Sequence, residues 1–204
     1  MQVIIVNKAS LKRAREIRLK NKKMQAKVVR QYIQNRDIDE NANIAIYNKA
    51  LQYQGKGVIG IDIAGSEKLP LQKEFGYMYQ FAKSRNMLTT CHVGETKHDK
   101  SEEELRIVVE DYKTQRIGHG IEIVNYPNLM KQASNQGIIF ELCITSNLTT
   151  RSIASLEEYA KVMKTFEEYG LKYCVCTDAT YAIDTNIRKE NLLMEEIKKI
   201  ARNL

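Results

Sequence analysis

Six short apolar segments, at residues 3–6, 58–63, 87–91, 116–118, 138–143 and 172–177, recur along the chain. Runs of this length and composition predict β-strands, and helical patterns separate them. Ser101 and Glu104 have capping-box spacing ahead of a stripe made by Leu105, Val108, Val109 and Tyr112. Pro127 can open a helix carrying Leu129, Met130 and Ala133. Ser155 and Glu158 open another, with Tyr159, Met163 and Phe166 on one face and Gly170 placed to end it in a left-handed turn. Leu192, Leu193, Ile197, Ile200 and Leu204 mark a C-terminal amphipathic helix. Strands alternating with helices imply right-handed βαβ units and a parallel sheet, which makes the chain an α/β protein. Periodicity does not choose between a barrel and an open sheet. The stretch 8–56 is longer than one crossover needs and reads as a basic helical insertion, with residues 37–43 as a loop between two helices.

Size bears on that choice. The chain has 204 residues, whereas a complete (β/α) barrel takes about 250. A single domain over residues 1–204 is the expectation. No stretch reaches the roughly 18 apolar residues of a membrane span, so no membrane partner and a cytoplasmic location are expected. Cys91, Cys143, Cys174 and Cys176 sit in apolar, strand-like runs, the setting of buried free thiols rather than of disulfides or a zinc finger. The formal charge of +7 is local: residues 8–30 hold ten Lys or Arg against one acid, Glu16, and the remainder is close to neutral. Such a run is either a solvated helix face or an anion-binding arm. It lacks interleaved aromatics for base stacking, so a nucleic-acid partner is not expected.

Chemistry gathers at strand ends, where parallel α/β folds build their sites. One segment ends in His92-Val93-Gly94-Glu95, the next in Gly118-His119-Gly120, and the last in Thr177-Asp178. Each residue alone could cap a helix. Three titratable strand ends together point to a site whose neighbouring glycines let backbone approach a ligand. His98, among Lys97, Asp99 and Lys100, reads as an exposed loop residue without a role.

At these positions the sequence resembles the adenosine deaminase family of zinc-dependent purine aminohydrolases, which have the (β/α)8 TIM-barrel-like metallo-dependent hydrolase fold. The run Gly60-Ile61-Asp62-Ile63-Ala64-Gly65-Ser66-Glu67 is similar to the family's G-[IM]-D-L-A-G-x-E, His92–Glu95 to its H-A-G-E, and Arg116–Gly120 to its R-[IV]-G-H-G. Glu141-Leu142-Cys143-Ile144-Thr145-Ser146-Asn147 resembles E-x-C-P-x-S-N, and Thr177-Asp178 resembles T-D-D. The resemblance implies hydrolytic deamination of an adenine nucleoside or nucleotide to the inosine product, with zinc (Zn2+) activating a water. It makes His92 and Asp178 zinc ligands, Glu95 the proton donor to the purine ring nitrogen, and His119 the base on the water. Gly65 would hold the purine through its backbone amide, and Asp62 would support the pocket floor. Glu95 and His119 are chemically suited to these tasks, since ring protonation needs a carboxyl in a dry pocket and a base needs an imidazole.

The resemblance also sets out what differs. The family's His-x-His on its first barrel strand has no counterpart among His92, His98 and His119. Counted back from Thr177-Asp178, the six segments stand for strands 3 to 8 of the barrel. Ala179 replaces the second aspartate of T-D-D. Open barrel edges would favour self-association or a partner chain. Three readings follow: an aminohydrolase, a non-catalytic binding or regulatory module descended from one, and a fragment that needs a second chain. Because the basic run follows the first strand, Lys8, Lys12 and Arg13 could hold a substrate phosphate.

Overall fold

The computed structural model of the chain describes residues 4–5, 28–180 and 182–204. The chain forms two compact units, Met1–Gly65 with Gln72–Thr89 and Ser66–Leu71 with Thr90–Leu204. The basic residues Lys8, Lys12 and Arg13, and most of the run to which they belong, lie outside the described residues.

In the first unit, β1 (Ile4–Ile5), β2 (Val28–Asn35), β3 (Val58–Ala64) and the start of β4 (Leu88–Val93) pair in chain order, every ladder parallel. β3 is buried along most of its length, including Ile61, Asp62 and Ile63, as expected of a strand covered on both faces. Gly60 allows the next strand to come close, since a Cβ there would lie 2.6 Å from the Leu88 carbonyl oxygen. The helices are α1 (Glu40–Gln52) and α2 (Lys73–Ser84). Asp39 caps α1 by accepting from the Ala42 amide at 2.9 Å. Asn43, fully buried, accepts from the Asn35 amide and donates to the Asn35 carbonyl, each at 2.9 Å, which ties α1 to the end of β2.

β2 corrects the reading of 8–56 as a helical insertion over residues 28–35, which are strand, and raises the strand count among the described residues from six to seven; residues 8–27 lie outside the described residues. Val28, Val29, Tyr32 and Ile33 repeat at a spacing that suits a helix stripe. The backbone is nonetheless extended because it pairs with β1 on one side and β3 on the other, and such pairing overrides local pattern. The expected loop at 37–43 is a turn followed by the opening of α1.

In the second unit, the end of β4, β5 (Arg116–His119), β6 (Ile139–Leu142) and β7 (Lys172–Val175) continue in parallel. Between them run α3 (Ser101–Arg106), α4 (Pro127–Gln136), α5 (Ile144–Thr149) and α6 (Leu156–Glu168), and α7 (Ile187–Ala201) follows β7. Pro127 opens α4, Ser155 caps α6 by accepting from the Glu158 amide, and Gly170 has φ 64°, as the sequence leads one to expect. The helix expected to open at Ser101 and carry the stripe to Tyr112 is α-helical only to Arg106. It then widens into a π-helical turn, Ile107–Tyr112, which ends at Lys113 with φ 46°. Its capping box does not form, because the Ser101 hydroxyl accepts from the His98 amide at 2.8 Å and donates to the Thr96 carbonyl.

α7 also differs from its expected stripe. Glu190, Met194 and Ile197 are buried, whereas Leu192 and Leu204 are exposed. The buried Glu190 carboxylate accepts from the Thr145 amide at 3.2 Å and from the Thr185 hydroxyl, so α7 docks through a polar anchor that an apolar pattern does not reveal. Among the described residues no helix is long and apolar enough to cross a membrane.

Candidate active site

The C-terminal ends of β4 and β5 lie side by side, with Val93 in register with His119 and His92 with Gly118. The ring of His92 lies against Gly118: a Cβ on that glycine would come within 2.8 Å of two ring carbons. Glycine is therefore the residue that leaves room for the imidazole. His119 takes φ 57° and Gly120 φ 67°, two successive left-handed residues that turn the chain out of β5. Such a conformation costs a non-glycine residue about 1–2 kcal/mol. The two imidazoles meet edge to face, centroids 5.6 Å apart.

A buried relay fixes the His119 ring, which is 2% exposed. The Tyr159 hydroxyl donates to Asn147 Oδ1 at 3.4 Å, and Asn147 Nδ2 donates to His119 Nδ1 at 3.1 Å. With Nδ1 accepting, the neutral ring carries its proton on Nε2. That nitrogen faces two carboxylates, Glu95 Oε2 at 3.5 Å and Asp178 Oδ2 at 4.0 Å.

Each carboxylate is itself held. Thr150 Oγ1 donates to Glu95 Oε1 at 3.0 Å, and the Glu67 carboxylate accepts from the amides of Glu95 and Thr96 at 3.2 and 2.7 Å, clamping the backbone after β4. Asp178, at φ 53°, accepts from the Ser146 hydroxyl at 2.7 Å. Glu67, Ser146 and Asn147 lie within the sequence motifs, yet their types alone gave them no role. Tyr159 and Thr150 lie outside the motifs.

The structure thus brings Glu95, His119, His92 and Asp178 together in the second unit. Asp62 and Gly65 belong to the first unit. Asp62 is buried on β3, 1% exposed. At Gly65, φ is +109°, and a Cβ would lie 2.3 Å from Asn35 Oδ1 and 2.7 Å from Asp37 Oδ2. Packing of β3 against the end of β2 requires this glycine whether or not a ligand is bound. His98 is part-buried rather than exposed: its Nδ1 accepts from the Lys100 amide at 3.3 Å and its Nε2 lies 4.0 Å from Glu104 Oε2, so it shapes the loop after Glu95.

A catalytic zinc takes three protein donors. Among the described residues no group of three His, Cys, Asp or Glu side chains is placed to hold a metal ion. His92 and Asp178 are two donors at most, and one Asp178 oxygen is engaged by Ser146. The described residues do not by themselves fit a zinc site.

The ordered motifs and this geometry agree with comparison to known proteins. The family model for adenosine deaminase matches residues 3–201. The chain belongs to the adenosine deaminase family. It is 32% identical over 161 residues to an adenosine deaminase of Haemophilus ducreyi, covering 78% of this chain and 45% of that protein. Against an adenosine deaminase of Enterococcus faecalis it is 30% identical over 169 residues, covering 78% and 48%. The chain therefore spans about half the length of these relatives. Among solved structures it resembles the N6-mAMP deaminase of Arabidopsis, with TM-score 0.72 and 24% identity over 83% of this chain and 48% of that one. An amidohydrolase of Burkholderia ambifaria solved with bound Zn gives TM-score 0.74 and 22% identity over 92% and 50%. This likeness shows the fold: α/β and TIM-barrel-like, the class expected from the motifs.

Proposed function

We propose that this chain carries the proton-transfer half of a purine aminohydrolase site, acting on an adenine nucleoside or nucleotide to give the inosine product. The observation that carries this reading is the convergence of Glu95 and Asp178 on His119 Nε2 at 3.5 and 4.0 Å. The purine class is supported by relatives named adenosine deaminase and by neighbours solved with GMP and IMP.

Hydrolytic deamination adds water across a C–N bond of the ring and expels ammonia. It needs a proton delivered to the ring nitrogen beside the attacked carbon and a proton taken from water. Glu95 is the donor: it is three-quarters buried, positioned by Thr150, and held from its backbone by Glu67. His119 serves the water. In the tautomer that Asn147 imposes, Nε2–H donates and orients the water oxygen. To accept a proton at Nε2 the ring needs the opposite tautomer, which Asn147 supplies by turning its amide so that Oδ1 accepts from Nδ1–H. Tyr159 can follow, since a hydroxyl both donates and accepts. Asp62 and Gly65 remain our candidates for the purine-binding side. His92 and Asp178 would be this chain's share of a zinc sphere, and the proton transfers described here belong to Glu95 and His119.

The absence of a three-donor group among the described residues, together with Ala179, favours a second reading, a binding module that keeps the pocket without turnover. One experiment separates the two. The purified chain is loaded with zinc, its metal content measured, and deamination of adenosine and AMP followed by absorbance, with and without a His-x-His segment supplied in trans. Turnover dependent on Glu95 supports the aminohydrolase. No metal and no turnover under either condition, with purine binding retained, establishes the binding module.

A further inference from the structure

Beyond this site, the end of β7 and the residue just past it carry two thiols to which the deaminase chemistry gives no task. Cys174 lies on β7 and Cys176 one residue past its end, where its amide still donates to the Leu142 carbonyl at 2.8 Å, and their sulfurs are 3.7 Å apart. Both are part-exposed, whereas Cys91 and Cys143 are buried. Arg116, on β5, donates through Nη2 to Cys174 Sγ at 2.9 Å while its Nε pairs with the buried Glu141. The guanidinium therefore has a fixed position beside one sulfur of the pair.

We propose that Cys174 and Cys176 form a thiol–disulfide exchange site, with Cys174 the attacking thiol and Cys176 the resolving one, whose co-substrate is a low-molecular-weight disulfide. The Cys174 thiolate attacks one sulfur of the small disulfide, forming a mixed disulfide and releasing a small thiolate. Cys176 then loses its proton to solvent and attacks the Cys174 sulfur, forming the internal disulfide and expelling the second small thiolate. Both small thiolates are protonated as their pKa dictates. Two protein thiols are oxidised and one small disulfide is reduced to two thiols.

Polarity within the pair follows from its surroundings. A hydrogen bond from Cys176, opposed by burial and assisted by the Arg116 guanidinium, brings Cys174 down to about 7. Once Cys174 is capped as a mixed disulfide, Cys176 is the neighbouring sulfur, 3.7 Å away, that can displace the cap. Ring closure is within reach but not relaxed. Two residues of extended strand span about 6.6 Å, near the upper limit of about 6.8 Å between the Cα atoms of a disulfide. A bridge closed under such strain is readily reduced again, which suits a reversible site.

The test uses the intact chain and dithiodipyridine, whose released thiopyridone is followed by absorbance, with mass spectrometry of the product. The expected result is a fast phase releasing two equivalents of thiopyridone per chain, no retained adduct, and a peptide linking Cys174 to Cys176 that has lost two hydrogens. Cys176→Ser should release one equivalent in that phase and keep the pyridyl adduct on Cys174. Cys174→Ser should slow the first release at least about fivefold, the balance between a larger thiolate fraction and its weaker nucleophilicity. A stable mixed disulfide on the unmutated chain would overturn the proposal. So would a fast phase unchanged by Cys174→Ser. Both readouts are independent of deaminase activity.

Discussion

β5 and β7 lead to residues that face each other, His119 and Asp178, but the two strand ends are built differently. At β5, the strand residues Ile117, Gly118 and His119 are buried, and the ring is oriented through Asn147 and Tyr159. At β7, Tyr173, Cys174 and Val175 are only half-buried, Lys172 is exposed, and Asp178 follows three residues beyond the strand. Geometry at the first end is fixed by packing and a closed polar chain. At the second, Asp178 depends on a single hydrogen bond from Ser146. A site assembled this way holds its imidazole rigidly and leaves its aspartate adaptable.

The largest expected effect tests whether the rigid end carries the chemistry. In the protein that deaminates, Glu95→Gln should lower kcat about a hundredfold to ten-thousandfold, measured as loss of adenosine absorbance. A change of less than threefold would remove Glu95 from the proton-transfer role.

Next comes packing. Phe140, fully buried on β6 and edge to face with Phe166 at 5.0 Å, should lose about 3–5 kcal/mol of stability as Phe140→Ala in urea titrations. Val175→Ala on the half-buried β7 should lose less than about 1.5 kcal/mol. Equal losses would erase the contrast between the strands.

Two glycines sharpen it further. Gly120→Ala combines a left-handed backbone with a Cβ 2.5 Å from Phe140 and should cost about 2–4 kcal/mol. Gly170→Ala, also left-handed but with its nearest neighbour at 3.5 Å, should cost about 1 kcal/mol. The difference in thermal midpoint between the two variants reads the crowding at the β5 end directly.

The smallest effect concerns the relay. Tyr159→Phe removes one buried donor and should cost about 1 kcal/mol. Nitrogen-15 spectra of the His119 ring should show the Nε2–H form losing ground, because Asn147 is then free to turn. An unchanged tautomer ratio would mean that Tyr159 does not set it.

The sequence made the strand ends legible because polar residues flanked by glycine stand out against apolar runs, as at His92, His119 and Asp178. β2 was hidden because Val28, Val29, Tyr32 and Ile33 imitate a helix stripe, and only pairing with neighbouring strands decides the matter. The π-helical turn at Ile107–Tyr112 leaves the expected apolar stripe intact and differs only in hydrogen-bond register, which residue type does not encode. Glu190 was missed because an acidic residue in an amphipathic helix reads as solvent-facing until its partners, Thr145 and Thr185, are seen. The relay through Asn147 joins residues 28 and 12 positions apart, a connection that no local pattern contains.

His119 and Asp178 are two of the five non-glycine residues with positive φ among those described. Backbone and chemistry therefore pull these positions in opposite directions over evolutionary time. Glycine would relax either turn, and asparagine sits there more easily than most residues, yet neither could replace what the imidazole or the carboxylate does. A lineage released from selection for turnover should drift first at these two positions and gain stability as it loses function. This chain keeps both residues, and sequencing of its close relatives would show whether these two positions change before others.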